Sequence, residues 1–238
     1  MTSATGDLSI EAQTRYAFIR TLIQRDFAPP AQVIELGAAP GDQIAALARL
    51  GYEATAVDIG IASDAWASAT AGRMAALLDD AGVSYVEWNL EETPYPLAES
   101  DYDAVVMTEV FEHLRDYPVR SLLECKRILR PAGRLYLTTP NVAYLRNRVV
   151  ALRGGAVASP LHDWIGGLPH ARHAREYTFD EMRTMLEHAG FTPLEMTSRH
   201  FFKAQGRPVA RAAKSAVDAL SRLRPTFGPS IVVVAKPL

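Results

Sequence analysis

Hydrophobic positions along the chain follow two periods in turn. Between residues 10 and 27, Ile10, Tyr16, Phe18, Ile19, Leu22 and Ile23 recur at roughly helical spacing, and Pro29-Pro30 then stops the helix. Short apolar runs bounded by turn residues predict strands at Gln32 to Leu36, Ala54 to Asp58, Val83 to Trp88, Ala104 to Thr108 and Arg134 to Thr139. Helical stretches separate these runs: one from Asp42, one through Met74 to Leu78, and one that holds Cys125 in register with Leu122 and Leu129. Strand, helix, strand alternation implies an α/β fold with a mainly parallel sheet and helices on both of its faces.

The last third has a different rhythm. It reads as a Gly- and His-containing loop (Arg153 to Arg175), a helix (Phe179 to Ala189), a strand-like stretch (Thr192 to Phe202), a basic helix (Arg207 to Leu223) and a final apolar strand (Ser230 to Ala235). Two strands joined without a crossover helix of ordinary length form an antiparallel pair at the sheet edge. At 238 residues the chain suits one α/β core better than two. Residues 1–238 are therefore read as one domain, with an N-terminal helix at 10–27 and a lid and basic-helix region at 153–224.

Composition narrows the function classes. With 48% hydrophobic and 22% charged residues the chain is globular rather than disordered, and a net charge of -2 gives no global attraction to nucleic acid. A lone cysteine, Cys125, forms no internal disulfide, and its helical register marks it as a small buried hydrophobe. No basic-then-apolar leader opens the sequence and no apolar run nears the roughly 20 residues of a spanning helix, so a cytoplasmic location is expected. One local patch stands out. Arg207, Arg211 and Lys214 share a face of the basic helix, which suits peripheral contact with an anionic membrane or a phosphorylated acceptor, the plainer alternative being a solvated helix on the sheet edge.

The chemistry-bearing segment is Val33-Ile34-Glu35-Leu36-Gly37-Ala38-Ala39-Pro40-Gly41. A strand that runs into small residues and then a helix lets backbone N–H groups approach a ligand closely. A dinucleotide-binding loop requires Gly-x-Gly-x-x-Gly, but counting from Gly37 places Ala39 and Asp42 in the second and third glycine slots, and Asp42 would repel a pyrophosphate. S-adenosylmethionine (SAM) has no phosphate; it carries an ammonium, a carboxylate, a sulfonium and an adenosine, so an acid such as Glu35 suits it. Asp58, closing the second strand, offers two carboxylate oxygens to a pair of ribose hydroxyls.

Taken in order, these segments resemble the motifs of class I SAM-dependent methyltransferases of the type 11/23 kind. Glu35-x-Gly37-x-Ala39-x-Gly41 is similar to their first motif, with Ala39 in a glycine slot; Trp88-Asn89-Leu90 stands where many members contact adenine. Tyr102 through Leu114 resembles their fourth-strand motif, and Arg127 through Asn141 the turn and strand after it. The resemblance implies a Rossmann-like fold with a mainly parallel seven-stranded sheet and an antiparallel edge strand. It also implies a SAM site built from Glu35, Gly37, Ala39, Gly41, Asp58, Asn89, Leu90 and Thr108. A weaker match extends from Arg175 to Phe191.

Glu109, Glu112 and His113 follow the fourth strand directly and project from one turn. This Glu-x-x-Glu-His pattern resembles the metal-binding motif of small-RNA 2′-O-methyltransferases and of some ubiquinone-pathway O-methyltransferases, in which a distant histidine joins the set. On that likeness Glu109, Glu112, His113 and His173 (or His170) would hold a divalent ion such as Mg²⁺, which would lower the pKa of an acceptor hydroxyl. Without metal, His113 or His173 is the candidate general base; the bland alternative is a pair of acids capping a turn. The expected activity is methylation of a small-molecule or glycan hydroxyl. An NAD(P)-dependent oxidoreductase and a non-catalytic SAM-binding protein are the rivals. No nucleic-acid partner is expected.

Overall fold

The computed structural model describes residues 8–59, 65–157, 161–166, 172–201, 215, 219–220 and 222–238. Seven strands form one sheet: β1 (Gln32–Leu36), β2 (Glu53–Asp58), β3 (Ser84–Glu87), β4 (Tyr102–Thr108), β5 (Leu129–Pro140), β6 (Phe191–Arg199) and β7 (Ser230–Pro237). Their order is β3-β2-β1-β4-β5-β7-β6. Strands β1 to β5 pair in parallel, whereas β7 runs antiparallel to both β5 and β6. The expected antiparallel pair at the edge is thus β6 with β7, the last strand inserted between β5 and β6.

Burial on both faces explains the nearly continuous apolar runs of the central strands. Ile34 and Leu36 of β1 join Val105 and Met107 of β4 and Ile231 and Val233 of β7 in one core. Helices α4 (Val119–Ile128) and α7 (Phe179–His188) close that core with Leu122, Cys125, Ile128, Met182 and Leu186. The alternate residues Val33, Ala104, Val106, Val232 and Val234 face a second core. It is covered by α1 (Ile10–Asp26), α2 (Asp42–Arg49) and α3 (Ala65–Ala81) through Ile19, Ile23, Ile44, Leu47, Met74 and Leu78. Each fully buried Val, Ile or Leu contributes about 1.5–3 kcal/mol relative to exposure. Cys125 is fully buried, as its helical register implied.

Several boundaries differ from the sequence expectation. Strand β5 begins at Leu129, so Arg130-Pro131-Ala132-Gly133 continues an irregular strand instead of a turn, with a register shift against β4 between Tyr102 and Ala104. Helix α3 starts well before Met74, because Ala-rich sequence from Ala65 favours helix without marking a face. Helix α5 (Leu145–Leu152) precedes the long loop, and a short α6 (Leu161–Ile165) forms within it. The basic helix at 207–223 lies outside the described residues apart from 215, 219, 220, 222 and 223, and so does His170. Among the described residues no helix is long and apolar enough to cross a membrane.

Two anchors position what lies above the sheet. The Tyr136 hydroxyl donates to Asp26 at 2.8 Å, which ties the end of α1 to β5. At α7 a reciprocal cap forms: Glu181 N–H donates to Thr178 Oγ1 and Thr178 N–H to the Glu181 carboxylate. The sheet order reverses direction between β1 and β4, and in open parallel sheets that reversal opens a crevice outside the strand C-termini.

Candidate functional site

The crevice is floored by the ends of β1, β2 and β4, and its first wall is the loop Gly37 to Gly41. Gly37 holds φ at +74° and a Cβ there would collide with the side chain of Val110, while Gly41 holds φ at +93° as the cap residue of α2. Both positions therefore demand glycine, one for close approach and one for the left-handed turn into the helix. Ala39 occupies no such position: its N–H donates to Asp58 Oδ2 at 2.8 Å. The backbone of Gly37 and Ala38 donates to the Val57 carbonyl at 2.8 and 3.1 Å, so the loop is stapled to β2 along its length.

Asp58 is buried, with its second oxygen accepting from Ile59 N–H at 2.9 Å. One carboxylate thus fixes both the loop, through Ala39, and the chain leaving β2, through Ile59. Glu35 lies beneath the loop, 2% exposed, and its Oε2 has no hydrogen-bond partner among the described residues. Burial, then the neighbouring Asp58, pushes its carboxyl well above the usual glutamate range, partly offset by the Ile44 backbone and by Arg20. A buried acid in this state is suited to meeting a cation or a donor from a ligand.

Helix α1 supplies Arg15 to the crevice, a residue that the sequence reading did not single out. The Arg15 guanidinium lies 3.5 Å from Glu109 and 5.4 Å from the ring of Phe201, and its Nε is buried without a hydrogen-bond partner among the described residues. Next to it, burial and then Glu35 raise the phenol of Tyr16. A buried guanidinium N–H and a buried carboxylate oxygen, each without a hydrogen-bond partner among the described residues, have the chemistry to meet the carboxylate and the ammonium of an amino-acid group such as SAM carries.

The remaining expected cofactor residues are less direct. Thr108 is buried and accepts from Gln43 Nε2 at 3.3 Å, which links β4 to α2. Asn89 is exposed, and its carbonyl oxygen, expected to face adenine, accepts from Glu91 N–H at 3.1 Å. Leu90 is buried, and its carbonyl accepts from the hydroxyls of Tyr95 and Ser121.

The second wall follows β4. Glu109 adopts φ +55°, which turns its side chain away from those that follow; its carboxylate accepts from Thr138 Oγ1 at 3.0 Å and pairs with Arg15. Phe111–His113 then form one 3-10 turn, in which Glu112 is wholly buried and accepts from Thr139 Oγ1 at 3.0 Å. Its other oxygen, Oε1, has no hydrogen-bond partner among the described residues. His113 Nε2 lies 3.9 Å from that oxygen and His173 Nε2 lies 4.0 Å from it. The two imidazoles meet edge to face with centroids 4.9 Å apart.

His173 reaches this place because the segment after the long loop is stitched down. Ala174 and Arg175 N–H donate to the Glu112 carbonyl at 2.7 and 3.2 Å, Tyr177 bridges to Asn141, and the rings of Phe111 and Tyr177 pack 5.1 Å apart. The structure thus brings Glu112, His113 and His173 together and leaves Glu109 out of the set. Sequence reasoning missed Glu176, whose Oε1 lies 2.8 Å from His173 Nδ1. A three-residue spacing within an irregular segment gives no periodic signal for it. Val110 joins the two walls, since its side chain fills the space above Gly37.

Comparison with known proteins bears on the family and the fold. A family described as a methyltransferase domain matches residues 11–196. The "Probable S-adenosylmethionine-dependent methyltransferase" of Mycobacterium tuberculosis is 33% identical over 114 residues, covering 48% of this chain and 35% of that protein. A ubiquinone biosynthesis O-methyltransferase of Xanthomonas campestris is 32% identical over 113 residues, covering 48% of this chain and 44% of its own length. The chain thus spans less than half the length of these curated relatives. A 1,6-didemethyltoxoflavin-N1-methyltransferase of Burkholderia thailandensis, solved with S-adenosylhomocysteine, shares the fold with a TM-score of 0.59 at 18% identity, over 96% of this chain and 78% of that one.

Proposed function

Because this chain belongs to the methyltransferase-domain family, we propose that it transfers the SAM methyl group to a hydroxyl of a small molecule or glycan. The observation that carries the reading is the crevice with two unlike walls: a backbone cradle with unpaired Glu35 and Arg15 atoms, and a cluster of Glu112, His113 and His173 across Val110. SAM, when bound, supplies an electrophilic methyl on a sulfonium, which leaves as a neutral thioether once the acceptor oxygen has formed its bond to carbon.

The chain's own residues have three tasks in this reading. Gly37 to Gly41, Asp58, Glu35 and Arg15 bind and orient the cofactor, with Ala39, Asn89, Leu90 and Thr108 completing its surroundings. Orientation is a large share of the task, because an in-line displacement between two held partners avoids the entropy of bringing them together. The imidazole end receives the acceptor and manages its proton. His113 Nδ1 lies 3.2 Å from the Arg172 carbonyl, which only accepts, and His173 Nδ1 faces the Glu176 carboxylate. Each Nδ1 therefore carries the ring hydrogen in the neutral tautomer, and each Nε2 presents its lone pair toward Glu112.

Support for oxygen as the acceptor atom comes from this basic cluster, since a hydroxyl must shed a proton to attack well, and from the ubiquinone O-methyltransferase among the relatives. A cytoplasmic location, the expectation from sequence, belongs to the same reading. The test is calorimetric SAM binding followed by transfer of isotopically labelled methyl to a panel of phenols, polyols and oligosaccharides. His113→Ala should leave the SAM dissociation constant within about twofold and lower turnover by about a hundredfold. Binding without transfer to any hydroxyl would replace the reading with a non-catalytic SAM-binding protein.

A further inference from the structure

We propose that Glu112, His113 and His173 form a mononuclear site for a first-row divalent transition-metal ion of the Zn²⁺ or Co²⁺ kind, in preference to Mg²⁺. Their ligand atoms all lie within 4.8 Å of one another. The inference rests on the acceptor end of the site described above and gives it a specific chemical occupant.

Four observations carry it. Glu112 is 0% exposed, and its Oε1 lacks a hydrogen-bond partner among the described residues while pointing at the two Nε2 atoms 3.9 and 4.0 Å away. A buried, unpartnered carboxylate oxygen is costly unless something positive meets it. Second, each histidine has its Nδ1 oriented by an outer group, His113 by the Arg172 carbonyl and His173 by Glu176. Carbonyl and carboxylate partners of this kind are the usual outer support of metal-bound imidazoles, fixing the tautomer that leaves Nε2 as the ligand. Third, Thr139 Oγ1 holds the other Glu112 oxygen, so the ligating one is already aimed. Fourth, both histidines remain partly exposed, with side chains 29% and 25% accessible, so the ion would keep a face open to the crevice.

The donor set decides the kind of ion. Two imidazoles and one carboxylate suit Zn²⁺, Fe²⁺ or Co²⁺, whereas Mg²⁺ prefers an all-oxygen shell and keeps several waters. Glu109, which would have enriched the site in oxygen, is held instead by Thr138 and Arg15. Bonds of about 2.1 Å place tetrahedral ligands roughly 3.4 Å apart, so binding closes the Glu112 contacts by about half an ångström. An acceptor hydroxyl on the open face would lose its proton more readily to solvent, and its oxygen would bond to the methyl carbon as the carbon–sulfur bond breaks and the neutral thioether leaves.

The experiment uses the full chain, stripped with chelator and dialysed into metal-free buffer, with Co²⁺ as a visible-absorbing probe. We expect one equivalent of Co²⁺ to bind with ligand-field bands in the visible region. Zn²⁺ should displace it and millimolar Mg²⁺ should not. Glu112→Gln and His173→Ala should each weaken binding by about a hundredfold and Glu176→Gln by about tenfold, while Glu109→Gln should change it by less than about twofold. Circular dichroism and SAM calorimetry on every variant separate loss of a ligand from loss of the fold. Absence of saturable binding, binding indifferent to Glu112→Gln and His173→Ala, or equal competition by Mg²⁺ would overturn the site. Methyl transfer at full rate by the metal-free chain would also overturn it and leave the proposed function intact. Stoichiometric metal binding in a chain that never binds SAM would do the reverse.

Discussion

The two walls of the crevice are built by opposite means. The wall we assign to the cofactor is framed by backbone: Gly37 and Gly41 at positive φ, and N–H groups of Gly37, Ala38 and Ala39 stapled to Val57 and Asp58. The wall we assign to the acceptor is made of side chains from two segments about 60 residues apart, Glu112 and His113 on one and His173 with Glu176 on the other. A backbone cradle is sensitive to any added atom but indifferent to most side-chain chemistry, whereas a side-chain cluster can be dismantled one functional group at a time without disturbing the first wall.

The sharpest way to break this contrast is at Gly37. Alanine there is strained by φ +74° and collides with Val110, so Gly37→Ala should weaken SAM binding by about a hundredfold or more and lower thermal stability. Adding Val110→Ala should recover part of the loss in calorimetry; no recovery would show that steric crowding is not the cause.

Asp58→Asn comes next. One carboxylate oxygen becomes an amide NH₂ that cannot accept from Ala39 or Ile59, and SAM affinity should fall by about tenfold while the far-ultraviolet spectrum stays native. An unchanged dissociation constant would remove Asp58 from the cofactor wall.

A pH titration sharpens the comparison further. Glu35 has a folded-state pKa raised by burial and by Asp58, so protonation favours the folded chain. That stability is fully present below the ordinary glutamate value of about 4.3 and is lost as pH rises through the elevated one. Glu35→Gln should therefore flatten the decline in stability of the ligand-free chain above about pH 4.3. Denaturant midpoints across pH 4–8 would check this, and an unaltered slope would mean that another group titrates.

The smallest effect is expected at Thr178→Ala, which removes one half of the α7 cap just after the segment that carries His173 to Tyr177. About 1 kcal/mol of stability should go, a few degrees in melting temperature, with SAM affinity unchanged and turnover modestly lower. A larger change in SAM affinity than in turnover would show that the walls are not separable.

The same contrast explains how much was legible in the sequence. The cradle is contiguous and its glycines follow from backbone geometry, so Glu35 to Gly41 and the strand that ends at Asp58 stand out in the chain. The sheet was legible too, because central strands buried on both faces are short, apolar and regularly spaced. What the sequence hid is nonlocal or conformational. Glu109, Glu112 and His113 look equivalent as neighbours on one turn, but the left-handed backbone at Glu109 sends its carboxylate to Arg15. His173 is brought to Glu112 by contacts distant in sequence, among them the hydrogen bonds of Ala174 and Arg175 to the Glu112 carbonyl, and Arg15 enters from a helix whose face toward the site carries no motif. Asn89 looked like an adenine contact and spends its carbonyl oxygen on its own turn.

Strand β7 has a further consequence for the order of assembly. It is the last strand in sequence yet lies between β5 and β6, so β6 has no sheet neighbour until residues 230–237 are in place. During synthesis the cofactor wall, on β1, β2 and β4, can form while the chain is still growing, because its pairings are complete by residue 140. The acceptor wall depends on a segment that β6 follows directly. On the proposed function, a nascent chain would accordingly acquire the ability to hold its methyl donor before it acquires the ability to transfer the methyl group.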